Sequence, residues 1–402
     1  MVEEAQTNRS EDRVASSTRT VVLVGTSHSI NHAYAGLFPI LLPFIVTELS
    51  LSYTQVGLVL AAGSVVGGLT QLGFGVLARY VPRNLLLGIS HVCLGITQII
   101  YGSVTSLTQL IGVRGAYSLA ASPQHPVGNA LITSGMGRKS FGRSLGINNS
   151  LANVGTVVAP LVGVALVLTI GWRTTFMVFS VPAIIVGFLI MFLLRSAKKT
   201  PSDGKRIPLG REMLNMVRNR NVLTIIGGQT MMAAGRALTI PAYVPLYLSH
   251  ELNLPLGYWG PMFSFIMVGS IVGPYVMGRA SDKVGRLKLI MLSLILASTA
   301  TFAFTFLPGR SLLLPIVLFV MAFAYFASSP IIQAFLADSV DKGSQDLVFG
   351  FYFTVVFGIG ALWPTVTGWV IDNYGFTAAF RLIASTNLLA AVWFLFAKEH
   401  RD

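Results

Sequence analysis

The sequence predicts an all-α membrane protein with twelve transmembrane helices in two pseudo-symmetric six-helix bundles. Three observations lead there. Of 402 residues, 53% are hydrophobic and only 11% charged, where a soluble chain carries about a quarter charged residues. The apolar residues fall in blocks, most of them longer than the roughly 20 residues that cross a hydrocarbon core of about 30 Å. The blocks also recur, because sliding the chain by about 204 positions brings its second half into register with its first.

Taken in order, residues 1–19 are polar and mixed in charge. They lack the short apolar core of a cleaved signal peptide and read as a cytoplasmic tail. Spans follow near 20–47, 53–78, 84–104, 107–134, 142–170 and 173–195, an N-terminal six-helix bundle over 20–195. The longest internal polar stretch, 196–220, reads as a cytoplasmic linker. Spans near 221–248, 258–280, 287–307, 312–337, 346–371 and 376–397 build a second bundle over 221–397, and 398–402 is a tail. The 40 glycines and 18 prolines agree with this reading, since both are common within membrane spans. Pro123, Pro126 and Pro330 are expected to break the fourth and tenth spans. A single cysteine, Cys93, excludes a disulfide framework and a cysteine-based metal cluster.

The net charge of +13 is a topology signal. All Lys and Arg except Arg114, Arg173, Arg236, Arg310 and Arg381 fall on one side of the expected spans. The positive-inside rule then places both termini and the linker in the cytoplasm, in a multi-pass protein of the cell (inner) membrane. The expected surroundings are membrane lipid, with no nucleic-acid partner, and the chain is expected to be a monomer.

The repeat is carried by particular residues. Gly75, Arg79 and Arg83 meet Gly278, Asp282 and Arg286. Pro126 meets Pro330, Gly146 meets Gly350, Pro160 meets Pro364, and "GWRTTF" at Gly171 meets "GFTAAF" at Gly375. "GRASDKVGRLK" (Gly278 to Lys288) resembles the loop motif G-x-x-x-D-[RK]-x-G-[RK]-x-[RK] of the major facilitator superfamily. "GINNSLANVGTVVAPLVG" resembles that superfamily's antiporter motif through Gly146, Gly155, Pro160 and Gly163, with Ala159 and Val164 replacing two glycines. "HSINHAYAGLFPILLPFI", "SPQHPVGNAL" and "GFYFTVVFGIGALWPTVTGWVID" are similar to fosmidomycin-resistance-type exporters. The resemblance implies a major facilitator fold and a secondary active transporter with a central cavity lined by helices 1, 4, 7 and 10. Those exporters expel a phosphonate antibiotic or other small organic compounds.

Ionisable residues inside a bilayer are costly and are functional candidates by default. All fifteen acids lie in tails, loops or span ends. At mid-membrane depth stand Arg114, Arg236, His28, His32, His91 and His125, all but His91 on helices the resemblance assigns to the cavity. Two arginines without a buried carboxylate call for an anion, and guanidinium suits carboxylate, phosphate or phosphonate. The expected solute is therefore a small organic anion. Arg236, Arg114, His32, Asn31, Gln124, His125, Asn129, Gln333, Tyr34 and Tyr243 are candidate substrate-binding residues. Arg114 also resembles a structural arginine of the superfamily.

Histidine titrates near neutral pH, so His32, His125 and His28 are the candidate proton carriers. His28 and His32 lie four apart, on one helical face, a spacing that suits two metal ligands. With no acidic or Cys third ligand nearby, no metal is expected. Nor is a cofactor, the driving force being a proton or solute gradient. The leading expectation is proton-coupled efflux, with uptake of an organic anion by symport or exchange as the alternative. A His-dependent intramembrane metalloenzyme is a reading from another class, opposed by the lack of membrane carboxylates and of any H-E-x-x-H. The chain has no G-x4-G-K-[ST] loop, which excludes an ATP-driven pump of that type.

In the superfamily the charged loop faces the start of a helix in the opposite half. The implied cytoplasmic gate pairs Asp282, with Arg286 in the same loop, against Arg143, and pairs Arg79 against Asp338 and Asp346.

Overall fold

The computed structural model describes residues 2–78, 80–134, 141–194, 218–234, 239–340 and 345–399. Among them there is no strand. The helices are α1 (Val2–Glu48), α2 (Tyr53–Leu77), α3 (Arg83–Tyr101), α4 (Leu107–Ala121), α5 (Asn129–Ser134), α6 (Phe141–Leu193) and α7 (Arg220–Met232). They continue as α8 (Thr239–Leu246), α9 (Leu256–Val284), α10 (Arg286–Phe304), α11 (Leu314–Asp338), α12 (Gln345–Gly360) and α13 (Leu362–Trp393). Single π turns stand at Gln124–Gly128 and Tyr247–Glu251.

Eight described helices are long and apolar enough to cross a membrane, against twelve expected from the sequence. The difference lies where helices are joined or cut. α6 runs through two expected spans and α13 through the boundary of the last two. Each is interrupted by a glycine at positive φ, Gly171 at 75° and Gly375 at 80°, a backbone region costly for any residue with a Cβ. The fourth expected span is divided around the π turn Gln124–Gly128, and the seventh into α7 and α8, with the second π turn following α8. Pro330 departs from expectation, because α11 continues through it, as membrane helices with neighbouring packing allow. α1 begins at Val2, so the stretch expected to be a tail continues as helix. Its Glu, Gln, Ala and Arg residues favour that state.

The chain divides into two compact units, Met1–Leu41 with Val66–Pro201, and Leu42–Val65 with Ser202–Asp402. The expected bundle boundary is crossed by the segment 42–65, the end of α1 and the first half of α2, which packs with the second unit. In the first unit the helices approach through small residues. A Cβ on Gly155 would collide with Ser29 O, so α6 and α1 touch at backbone distance there. In lipid such contacts hold helices together by dispersion rather than by burial from water. In the second unit Val222, Ile290, Ile332, Phe335, Tyr352 and Phe394 belong to one buried core. Outward, Phe192 is 79% exposed and Leu69 is 69% exposed. A surface of this kind fits a hydrocarbon solvent, since burial from water favours a side chain of that size by about 1.5–3 kcal/mol.

Candidate functional site

The site in the first unit begins with a backbone irregularity. Pro123 and Pro126 flank the start of the π turn Gln124–Gly128. Pro126 has no N–H, which removes one helical donor from the turn. Asn31 Nδ2 of α1 donates to Ala121 O, at 3.2 Å. Gln124 completes the join. Its Nε2 donates to Val24 O at 3.4 Å, and Ser27 Oγ donates to its Oε1 at 3.0 Å. Asn31 and Gln124, expected to bind solute, thus fasten the π turn to α1.

The same turn carries His125 to α1. The rings of His28 and His32 lie 4.7 Å apart, and the His125 ring lies 5.1 Å from His28 and 6.5 Å from His32. The three histidines expected to carry protons therefore form one cluster. His28 is buried and neither ring nitrogen has a hydrogen-bond partner, while His125 is exposed. Asn148 of α6 adjoins His28, and its Oδ1 also lacks a partner. Its Nδ2 donates to Asn129 Oδ1 at 3.3 Å.

Thr156 Oγ1 lies 3.2 Å from Ala152 O and 3.1 Å from His32 Nδ1. With the hydroxyl proton on the carbonyl, Thr156 accepts from Nδ1–H and the Nε2 lone pair of His32 is free. His91 is different. It is fully packed, with Nδ1 3.0 Å from Leu87 O and Nε2 3.1 Å from Ser27 O.

Arg114 of α4 is buried in an aromatic frame. Its guanidinium carbon lies 4.6 Å from the Phe38 ring centre and 5.1 Å from that of Tyr117. Tyr101 stands against Phe38 and Tyr117 and stacks on Phe176. Arg114 Nε and the Tyr101 hydroxyl have no hydrogen-bond partner. Among the described residues no carboxylate pairs with Arg114. Cation–π contacts offset part of the cost of burying the charge, about 0.5–2 kcal/mol each, and leave Nε–H unused.

Other expected residues have different employment. Tyr34 OH donates to Phe179 O, and Tyr243 OH lies 2.9 Å from Tyr53 O and 2.7 Å from Pro364 O. Both hydroxyls are spent on backbone carbonyls and serve packing here. Gln333 Nε2 donates to Ser329 Oγ at 3.1 Å. Arg286 pairs with Asp338 and, at 3.7 Å, with Asp282, and its backbone N–H donates to Glu399 at 2.6 Å. Asp338, expected to face Arg79, thus has a partner in its own half. Arg236 and Arg79 lie outside the described residues, as do the side chains of Arg143 and Asp346. Within the antiporter-like motif, Gly155 and Gly163 face Ser29 and Leu37 of α1, Pro160 adjoins Gly36, and Gly146 faces open space.

Sequence reasoning missed Asn148 and Thr156. A signal was present, because they lie eight apart and so share a face of α6. It also missed Asp372, whose carboxylate accepts from Tyr53 N, Thr54 N and Thr54 Oγ1 in the second unit. That pairing has no signal, being set by approach of distant segments.

Long apolar helices, glycine-broken span pairs and a polar cluster at a helix break define a polytopic helical membrane protein built around intramembrane polar groups. The sequence pattern of the Major Facilitator Superfamily matches residues 24–364, and again 225–402; the chain belongs to this family of transporters. It is 25% identical over 362 residues to a probable L-galactonate transporter of Escherichia coli strain K12, covering 83% of this chain and 78% of that one. It is 24% identical over 324 residues to multidrug resistance protein MdtG of Escherichia coli, covering 80% and 78%. Its fold is that of the nucleoside transporter NupG, with TM-score 0.79, 14% identity and coverage of 94% and 98%. The intramembrane-enzyme alternative is accordingly set aside, since family and fold are those of transporters and not of enzymes.

Proposed function

We propose that the chain is a secondary active transporter, working by alternating access, that moves a small organic anion across the cell (inner) membrane with both termini cytoplasmic. The observation that carries this reading is Arg114, a buried guanidinium with an unused Nε and no carboxylate among the described residues. A charge at mid-membrane costs about 2.5–3.5 kcal/mol even on the mildest scale. An oxyanion of the solute offsets that cost and accepts the idle N–H. The relative named for L-galactonate, a sugar acid, supports the anion, and the one named for multidrug resistance supports efflux.

The coupling ion in this reading is a proton taken by the His28, His32 and His125 cluster, where His32 lies against Thr156 through Nδ1 and His125 is the exposed member. The test is flux of sugar acids, aromatic carboxylates and phosphonates in proteoliposomes, with and without an imposed pH gradient. Carboxylates and phosphonates are expected to be carried and their neutral analogues refused. Arg114→Lys, which keeps the charge and loses the fork, is expected to raise KM about tenfold or more at unchanged melting temperature. Transport of neutral compounds with wild-type behaviour of both Arg114→Lys and Arg236→Ala would refute the anion. Imposed gradients of either sign report direction and coupling.

A further inference from the structure

We infer that His28, His32 and His125 form a binding site for one divalent cation of the zinc type, with three imidazole ligands and a fourth position open. Two histidines four apart on α1 lack a third ligand in the sequence, and the π turn supplies it. Each ring offers one nitrogen, and the three nitrogens lie within 4.8 Å of one another. Tetrahedral zinc with Zn–N of about 2.0–2.1 Å holds its ligands about 3.4 Å apart. Closure therefore needs ring movements of about an ångström, and exposed His125 is free to supply the largest.

Four features favour an ion over a packed cluster. His28 is buried, with no hydrogen bond of standard geometry at either nitrogen and Asn148 as the polar side chain beside it, a weakly satisfied state for a polar ring. His32 is held by Thr156 with Nε2 free, the outer hydrogen bond that metal-bound histidines make. Asn148 Oδ1, beside His28 and itself unpartnered, is a ready acceptor for the outer N–H of that ring. The exposed edge at His125 gives an ion a way in. An all-imidazole set suits Zn²⁺, Ni²⁺ or Cu²⁺ and is wrong for Mg²⁺ or Ca²⁺. Three protein ligands leave a position for water or an anionic group. The bound ion would clamp α1 to the π turn and would compete with a coupling proton for the same imidazole lone pairs.

The experiment uses the full chain in nanodiscs, freed of any polyhistidine tag and stripped with a chelator. Zn²⁺ alone is titrated calorimetrically, and Co²⁺ reports coordination geometry by its visible absorption. One equivalent is expected to bind, with intense tetrahedral-type Co²⁺ bands. Thr156→Val is expected to weaken binding about 10- to 100-fold, and His125→Ala by at least as much. His250→Ala, in the other unit, leaves it unchanged. Since His125 is exposed, its removal leaves the fold intact, which the melting temperature checks. Wild-type binding no tighter than that of a His28→Asn/His125→Ala double variant, or weak octahedral Co²⁺ bands, overturns the site. No solute is present in the assay, so its failure leaves the anion reading of Arg114 untouched.

Discussion

Asp372 caps the first turn of α2 within the second unit, and removing it tests how firmly that turn is held. Its Oδ1 accepts from Tyr53 N at 2.9 Å, and its Oδ2 accepts from Thr54 N at 2.8 Å and Thr54 Oγ1 at 2.6 Å. A carboxylate here satisfies two orphan donors of the helix start and interacts with its dipole. Losing a capping side chain costs about 0.5–2 kcal/mol. Three bonds to a charged acceptor argue for the top of that range, and exposure of the carboxylate for discounting it. Asp372→Ala is therefore expected to destabilise the protein by about 1–2 kcal/mol, and Asp372→Asn, which keeps one acceptor, by about half as much. The assay is denaturant unfolding of the purified protein in detergent, followed by tryptophan fluorescence. A double-mutant cycle with Thr54→Val isolates the hydroxyl bond, with an expected coupling of about 0.5–1 kcal/mol. If the two effects add to within about 0.3 kcal/mol, the carboxylate and hydroxyl do not interact and the reasoning fails.

Two further predictions concern packing and pH. Gly155→Ala drives a methyl into Ser29 O, whereas the same change at Gly146 meets nothing within 4 Å. The first should cost about 1–3 kcal/mol or prevent folding, and the second should leave the melting temperature within a degree or two; equal effects would sink the close approach of α1 and α6. His250 lies 3.2 Å from both Thr47 Oγ1 and Tyr53 OH, and its burial pushes its pKa below the ordinary 6.5, partly opposed by a backbone bond with Pro43. The folded state then binds fewer protons than the unfolded one, so stability present above pH 6.5 is lost as pH falls below it. His250→Gln should flatten that part of a melting-temperature profile from pH 5 to 8, and a profile unchanged by the variant would refute the assignment.

Much of the framework is legible in the sequence. Hydrophobic blocks located the helices because a bilayer leaves backbone groups no partner but one another. The repeat aligned Gly171 with Gly375, each between two expected spans, and both sit at positive φ, a requirement that glycine meets and the sequence therefore displays. Pro123 and Pro126 announced the irregular fourth span. Pro330 gave the same signal and α11 ignored it, because a missing N–H costs little where a membrane helix is supported from its sides. The segment 42–65 was assigned by chain order to the first bundle, and its contacts assign it to the second unit.

The candidate site was legible as a list and illegible as an arrangement. Composition and hydropathy alone determined that this is a polytopic helical membrane protein, and they led to the expectation of Arg and His without an acid at mid-span. Family membership rests on motifs written in the chain. Which polar groups are spent and which are free was decided only by tertiary structure. Gln124, Asn31, Tyr34 and Tyr243 found backbone carbonyls, while His28, Asn148 Oδ1 and Arg114 Nε were left without partners. The physical reason is that helical period fixes the direction of a side chain within its own helix. A hydrogen bond or a metal ligand set also needs the angle and separation of the neighbouring helix, which close contacts such as Gly155 on Ser29 supply.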